Sequence, residues 1–378
     1  MTKILVVCQG YLGHLIPAIG TVKELKKRNH EVWLTCFDKQ KELVVRAGVD
    51  FLDTSLDLAP SKRIEDTMNE LLQIIKEKEI ELILCDSTMS APAYAAELLD
   101  LPWISFSTTV QLTKQLPGKE ETNLRLRYFY KRILNKARER FNMLPLEDME
   151  RTRGDWAGLS PFLHLVMVYP IMEIDSDIPS HFKYVGPCTF ENEISKPVIN
   201  IDPEKPTILI THTSLINSDY AKITQKYVYD SIKALGNSHY NVLITSSEDF
   251  LSDIELPKNI QVINNSPVHE TLLPLTDILI THGGCNTLQK GLRYGVPMLI
   301  IPLGDDHHII SKHCKSLGVG EILEFNEITP NKILNGIQSI LAEPNYQHQS
   351  KKIHSMYQNF NPNQESADAI EQFITNYL

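Results

Sequence analysis

Short apolar runs alternate with helix-length amphipathic segments along nearly the whole chain, and this alternation constrains the fold more than any other feature. In the first half, "KILVVC" gives way to a helical pattern from about Leu15 to Lys27 and then to "EVWLTC". Helical "KQKELVVRAG" stops at Gly48, helical "NELLQIIKEK" feeds "IELILC", and helical "APAYAAELLD" feeds "PWISFS". In the second half the β runs are "TILITH", "YNVLIT", "IQVIN", "DILIT" and "PMLIIP", with helical "YAKITQKYVYDSIKAL" and "NTLQKGLRYG" among them. Strand alternating with helix predicts parallel sheets with helices on both faces. A chain of 378 residues is long for one domain, and "KPVINIDPEKP" reads as a polar, proline-punctuated linker. The expected fold is therefore α/β, two Rossmann-like doubly wound domains over residues 1–195 and 207–362, joined by a linker at 196–206. The last segment, 363–378, is a helix with no strand after it. Ligands of open parallel sheets bind beyond the carboxyl ends of the strands. Two such domains facing each other would form a cleft walled by those loops, so the informative residues should follow the β runs.

Composition removes several classes of partner. The net charge of −10 argues against nucleic acid, whose phosphates would repel the molecule as a whole. The six cysteines are scattered without a C-x-x-C pair and several lie in strand-like runs, which reads as reduced thiols of a cytoplasmic protein. No apolar run approaches the roughly 18 to 20 residues needed to span a bilayer. The start of the chain reads as a first strand rather than a signal peptide, because Gln9 and His14 interrupt its apolar stretch.

Four constellations follow β runs. In "CQGYLGHLIPAIG", His14 opens a helix; it is either a structural histidine or a general base, for which its near-neutral pKa suits it. Asp86 ends "LILCD" and is either a helix cap or the partner that would hold His14 in one tautomer. No G-x-S-x-G supplies a nucleophilic serine. The most specific stretch is "DILITHGGCNTLQKGLRYGVPMLIIPLGDDHH". His282, Gly283, Gly284, Cys285, Asn286 and Thr287 lead from a strand into a helix, whose exposed N–H groups and dipole suit a pyrophosphate. Asp305, Asp306, His307 and His308 could hydrogen-bond sugar hydroxyls or hold a metal; His307, His308 and His313 give no i, i+4 pair, so no metal site is expected. The hydroxyls of "THTSLINS" either approach phosphate or cap a turn.

These residues resemble the GT-B fold, nucleotide-sugar-dependent glycosyltransferases, the family that includes macrolide and plant secondary-metabolite glucosyltransferases. The chain is most like the bacterial natural-product branch. The likeness rests on "GHLIPAIG", "LILCDSTMSAPAYAAELLDLPWISFS", "YVGPC", "SPVHETLLPLTDILITHGGCNTLQKGLRYGVPMLIIPLGDDHHI" and "LGVG". It implies His14 as general base and Asp86 as its partner. It places the diphosphate at His282 and the Gly283–Thr287 loop, with Thr213 and Ser214 nearby, and the sugar at Asp306 and His307. Asn265 stands where the family commonly stacks an aromatic residue on the base, Val268 where plant members often have Gln, and His307 where Gln is usual. Gly13, Ser87 and Phe129 fall where an acceptor would bind. The resemblance further implies inverting transfer from a UDP- or TDP-sugar to a small, largely apolar acceptor. No metal or other cofactor is expected, and the terminal helix should cross back onto the first domain.

Two other function classes share the fold: a non-catalytic glycosyltransferase-like activator of another transferase, and a sugar-nucleotide epimerase. The stretch "NLRLRYFYKRILNKARERF" is rich in Arg and Lys, and Leu126, Phe129, Ile133 and Phe141 can share one helical stripe. It reads either as an ordinary amphipathic helix or as a peripheral membrane contact through residues 125–140.

Overall fold

The computed structural model of the chain describes residues 1–54, 63–111, 120–147, 151–174, 178–191, 197–213, 220–246, 250–252, 254–264 and 267–378, with side chains 120–124 and 305 left aside. Ser214 and Asn265, both expected at the donor, lie outside the described residues. The chain divides into two compact units: Met1–Phe190 with Asn361–Leu378, and Glu191–Phe360.

The first unit carries a seven-stranded sheet in the order β3-β2-β1-β4-β5-β6-β7. Its strands are β1 (Lys3–Val7), β2 (Glu31–Thr35), β3 (Asp50–Phe51), β4 (Leu82–Asp86), β5 (Trp103–Ser107), β6 (His164–Val166) and β7 (Phe182–Tyr184). All pairings are parallel. The helices are α1 (Leu12–Lys27), α2 (Lys41–Arg46), α3 (Ile64–Lys78), α4 (Ser90–Leu98) and α5 (Glu120–Arg140). Because side chains alternate across a strand, β1 feeds two cores. Ile4 and Val6 pack with α1, while Leu5 and Val7 pack with α3 and α4. This is why the run is apolar at every position rather than at every second one.

The second unit carries a six-stranded sheet in the order β10-β9-β8-β11-β12-β13. Its strands are β8 (Thr207–Thr211), β9 (Asn241–Thr245), β10 (Ile260–Ile263), β11 (Ile278–Thr281), β12 (Met298–Ile300) and β13 (Gly320–Ile322), again all parallel. Its helices are α6 (Tyr220–Leu235), α7 (His269–Leu272), α8 (Cys285–Arg293), α9 (Asp305–Ser316), α10 (Pro330–Ala342) and α11 (Pro344–Tyr357). Ile208, Ile210, Ile278 and Ile280 form one core with Tyr227 and Val228 of α6 and Ile333 and Ile337 of α10.

The final helix, α12 (Pro362–Tyr377), belongs to the first unit. Ala367, Ala369, Ile370 and Phe373 enter the core beneath α1. Gly20 of α1 touches the Thr189 carbonyl so closely that a Cβ there would collide with backbone. Asn363 closes the joint, donating to the Thr189 carbonyl and accepting its N–H, both at 3.0 Å. Arg28 adds ion pairs to Asp368 and Glu371 at 2.5 and 2.6 Å.

Two sequence expectations shift. The first unit ends at Phe190 rather than at 195, and the second at Phe360 rather than at 362. Glu191 belongs to the second unit because its carboxylate accepts from the Glu270 and Thr271 N–H groups at the start of α7 and from the Thr271 hydroxyl. The apolar stripe of α5 is also partly displaced. Leu126 and Phe129 are exposed, whereas Ile133 and Phe141 pack as expected, joined by Tyr130, Leu134 and Ala137. Arg138, expected on a cationic surface, is buried; it pairs with Glu97 and covers the Tyr94 ring.

Candidate active site

Strand order decides which loops meet. In the first sheet β1 lies between β2 and β4, so the chain reverses its direction of growth at the β1/β4 boundary, the point where open α/β sheets bind ligands. His14, in the first turn of α1, and Asp86, the last residue of β4, meet there with His14 Nδ1 2.7 Å from Asp86 Oδ2. Asp86 is fully buried, whereas 27% of the His14 side chain remains open to solvent. An ionised carboxylate can only accept, so Nδ1 carries a proton and, in the neutral ring, Nε2 presents a lone pair.

The other carboxylate oxygen is held as firmly. Asp86 Oδ1 accepts the Thr88 N–H at 3.0 Å and the Thr88 hydroxyl at 2.7 Å. The Gln9 amide, from the loop after β1, donates to the Thr88 hydroxyl oxygen. Burial would raise the Asp86 pKa, but the charge and hydrogen bond of His14 and the two Thr88 donors outweigh it and hold it below the ordinary carboxylate value. Burial would likewise depress His14, and Asp86 outweighs it, leaving the imidazole above its ordinary value.

Gly13 occupies the residue before His14 in α1. Ser87 is buried and its hydroxyl donates to the Asp155 carbonyl at 2.8 Å. Phe129 is 59% exposed on α5 and packs edge-on against Tyr130.

The second sheet has its reversal between β8 and β11. Thr213 follows β8, and the turn after β11 runs through His282, Gly283 and Gly284 into α8. Gly283 has φ +86°, a left-handed conformation that favours glycine. A Cβ on Gly284 would stand 2.5 Å from His282 Nε2 and displace that ring. Gly284 therefore begins α8 without a side-chain cap, leaving the helix start approachable. The rings of His282 and His307 meet edge-on with centroids 5.3 Å apart, and Nδ1 of each is buried without a hydrogen-bond partner. Burial, reinforced by His307, His212 and His269, pushes His282 down to about 3. Burial also lowers His307, against the pull of Asp306. Asp306 is exposed in the first turn of α9. Val268 and Cys285 are buried, and Cys285 Sγ accepts from Gln289 at 3.4 Å. Asn286 and Thr287 lie in the first turn of α8 and are partly exposed. Among the described residues, no three His, Cys, Asp or Glu side chains converge on a point that could hold a metal.

Sequence reasoning missed Gln9 and Thr88. It also missed His212, which stacks on Phe250 at 5.2 Å and donates from Nδ1 to the Thr213 carbonyl. Ser311, whose buried hydroxyl lies against Gly283, was missed as well. The spacing Asp86-x-Thr88 was the available signal, since an aspartate followed two residues later by a donor commonly closes an Asx turn.

Residues 230–372 match the family model described as "Erythromycin biosynthesis protein CIII-like, C-terminal domain". The NDP-glycosyltransferase YjiC of Bacillus subtilis is 22% identical over 355 residues, 88% of this chain and 87% of that protein. Among solved structures, the glycotransferase of kitacinnamycin superposes with a TM-score of 0.79 at 20% identity, covering 98% of both chains. Glycosyltransferase VinC, solved in complex with DTDP, gives 0.71 at 18% identity over 99% of both chains. The chain has the GT-B fold of these solved structures, and proteins named as glycosyltransferases are similar to it over most of its length. The matched segment spans the His282–Thr287 turn and the start of α9. Among the chain's described residues no helix is long and apolar enough to cross a membrane.

Proposed function

We propose that the protein is a glycosyltransferase that moves a sugar, with inversion, from a UDP- or TDP-sugar to a hydroxyl of a small, largely apolar acceptor. The observation that carries this reading is the 2.7 Å contact between His14 Nδ1 and the buried Asp86 carboxylate. The acceptor O–H proton passes to His14 Nε2 as the oxygen forms its bond to the anomeric carbon. The bond from that carbon to the diphosphate oxygen breaks, and its electrons leave with the nucleoside diphosphate. Asp86 stabilises the imidazolium that forms. His282 and the N–H groups at the start of α8 meet the charge on the departing diphosphate, supplying by hydrogen bonds and dipole what a metal ion would otherwise supply. Thr213 supports the diphosphate, and Asp306 and His307 take the sugar hydroxyls. Gly13 and Phe129 are left as acceptor contacts.

Incubation with UDP-glucose, UDP-galactose and a TDP-sugar, with and without a polyphenol acceptor, tests the reading. The expected product is a glycoside of inverted anomeric configuration, formed equally well in excess EDTA. Absence of turnover in every arm would favour an activator role, and an isomerised sugar nucleotide an epimerase. His14→Ala should lower turnover about a hundredfold, the scale of losing a general base; unchanged turnover would remove His14 from the reaction.

A peripheral contact with an anionic membrane is a second reading. Tyr128 and Phe129 are exposed beside Arg132 and Lys136 on α5, and co-sedimentation with anionic but not zwitterionic vesicles would support it.

A further inference from the structure

Thr88 lies between two groups that fix its polarity. Its hydroxyl oxygen receives the Gln9 amide, so the single hydroxyl hydrogen is left for Asp86 Oδ1, 2.7 Å away. The Thr88 N–H reaches the same oxygen at 3.0 Å. Gln9 is itself buried in the loop after β1, so its amide has no ready alternative in water. Every donor in this chain points towards the carboxylate: Gln9 to Thr88, Thr88 to Asp86 Oδ1, and His14 Nδ1 to Asp86 Oδ2. We propose that Thr88, oriented by Gln9, is a positioning residue for the His14–Asp86 pair. It locks the carboxylate so that Oδ2 faces the imidazole, and it thereby fixes His14 in the Nδ1–H tautomer with Nε2 free to accept a proton.

This role rests on the general-base reading for its effect on turnover, but not for its effect on the ring. If Thr88 released Oδ1, the carboxylate could turn about its bond to Cβ, and the 2.7 Å contact that selects one tautomer would be shared among several geometries. Thr88→Val is the direct test. It is nearly isosteric, retains the backbone N–H bond to Oδ1, and removes only the hydroxyl. Because it strands the buried Gln9 amide, it is paired with Gln9→Met, which keeps the Thr88 hydroxyl but frees it to rotate.

The primary readout is the 15N chemical shift of the two His14 ring nitrogens, with His14→Gln assigning the signals. The wild type should show the Nδ1–H tautomer. Thr88→Val should bring in the Nε2–H tautomer and lower kcat by about ten- to a hundredfold, the scale of one charge-assisted hydrogen bond. Thr88→Ser should restore both, and Gln9→Met should fall between. A wild-type ring found in the Nε2–H form overturns the proposal even if no variant folds. So does a folded Thr88→Val variant that keeps the wild-type tautomer. Should His14→Ala retain full turnover while Thr88→Val still shifts the tautomer, the base assignment fails and the positioning role stands.

Discussion

Replacing Asp86 by Asn, nominally the mildest change at the site, should be among the most damaging. The reason lies in Thr88. Its N–H and hydroxyl both donate to the Oδ1 position, and only a carbonyl oxygen can receive them. In Asp86→Asn the new amide oxygen must therefore occupy that position, which places the amide NH2 group where Oδ2 now stands, 2.7 Å from His14 Nδ1. An NH2 donor obliges Nδ1 to accept, so the ring proton moves to Nε2 and the lone pair that should take the acceptor proton is lost. Recovering the productive tautomer then requires breaking the new hydrogen bond and opposing one donor to another, about 1–3 kcal/mol. Loss of the charge-assisted bond to the imidazolium adds about 1.5–3 kcal/mol. The sum of roughly 2.5–6 kcal/mol corresponds to about two to four powers of ten in turnover. Asp86→Ala forces no tautomer, because the space it leaves can admit water. Turnover should accordingly be no higher in Asp86→Asn than in Asp86→Ala, despite the closer shape. The assay is single-turnover transfer at saturating donor, with donor affinity measured separately by calorimetry and expected to be unchanged. Asp86→Asn within threefold of wild type, or clearly faster than Asp86→Ala, would refute the argument.

Three further outcomes follow from the same structure. The His14 pKa is raised because Asp86 outweighs burial, and only neutral His14 can accept a proton. Transfer should therefore rise with pH through a pKa above the ordinary histidine value, and Asp86→Asn, which leaves burial unopposed, should move that limb to lower pH. A limb that stays in place in the variant contradicts the assignment. His282→Ala should weaken nucleoside diphosphate binding by about ten- to a hundredfold, measured by calorimetry; unaltered affinity removes His282 from the diphosphate. Ile370→Ala should destabilise the first unit by about 2–5 kcal/mol, because Ile370 is fully buried beneath α1. Hydrogen exchange in α1 should accelerate while that in α6 does not, and equal acceleration in both would show that α12 does not belong to one unit alone.

Much of the fold was legible because both faces of each sheet are covered. A strand buried on two sides must be apolar at successive positions, and "ILVV", "LILC" and "ILIT" announce themselves. The pairing of His14 with Asp86, 72 residues apart, was legible for a topological reason: both follow strands, and the reversal of strand order makes those ends neighbours. Side-chain direction within a loop was not legible. Ser87, beside Asp86, turns into the protein towards Asp155, whereas Thr88, one residue on, turns back to Asp86; sequence position alone assigns neither. The face of α5 was misread for a related reason. A buried arginine satisfied by Glu97, 41 residues away, looks in sequence like any other charge on a solvated helix, and the apolar stripe is then drawn through the exposed Leu126 and Phe129 as well as the packed Ile133 and Phe141.

The two sheets use the same topological position for opposite electrostatic ends. At the β1/β4 boundary a buried carboxylate faces an imidazole and raises its proton affinity. At the β8/β11 boundary imidazoles face one another, and burial depresses His212, His282 and His307 together. A proton acceptor needs the first arrangement, because its charged form must be stabilised once the proton arrives. A site for a diphosphate can use the second: neutral rings donate hydrogen bonds without being charged when empty, so no counter-charge has to be buried beside them. It follows that in the free protein His282 and His14 titrate in different ranges. With His282 down at about 3, its protonation is complete far below the range in which His14 changes state. The acid limb of kcat/KM, which reports the free enzyme, should then follow one proton at His14. A limb steeper than one proton would show that the histidines of the second unit titrate with it and that their burial is relieved before the donor binds.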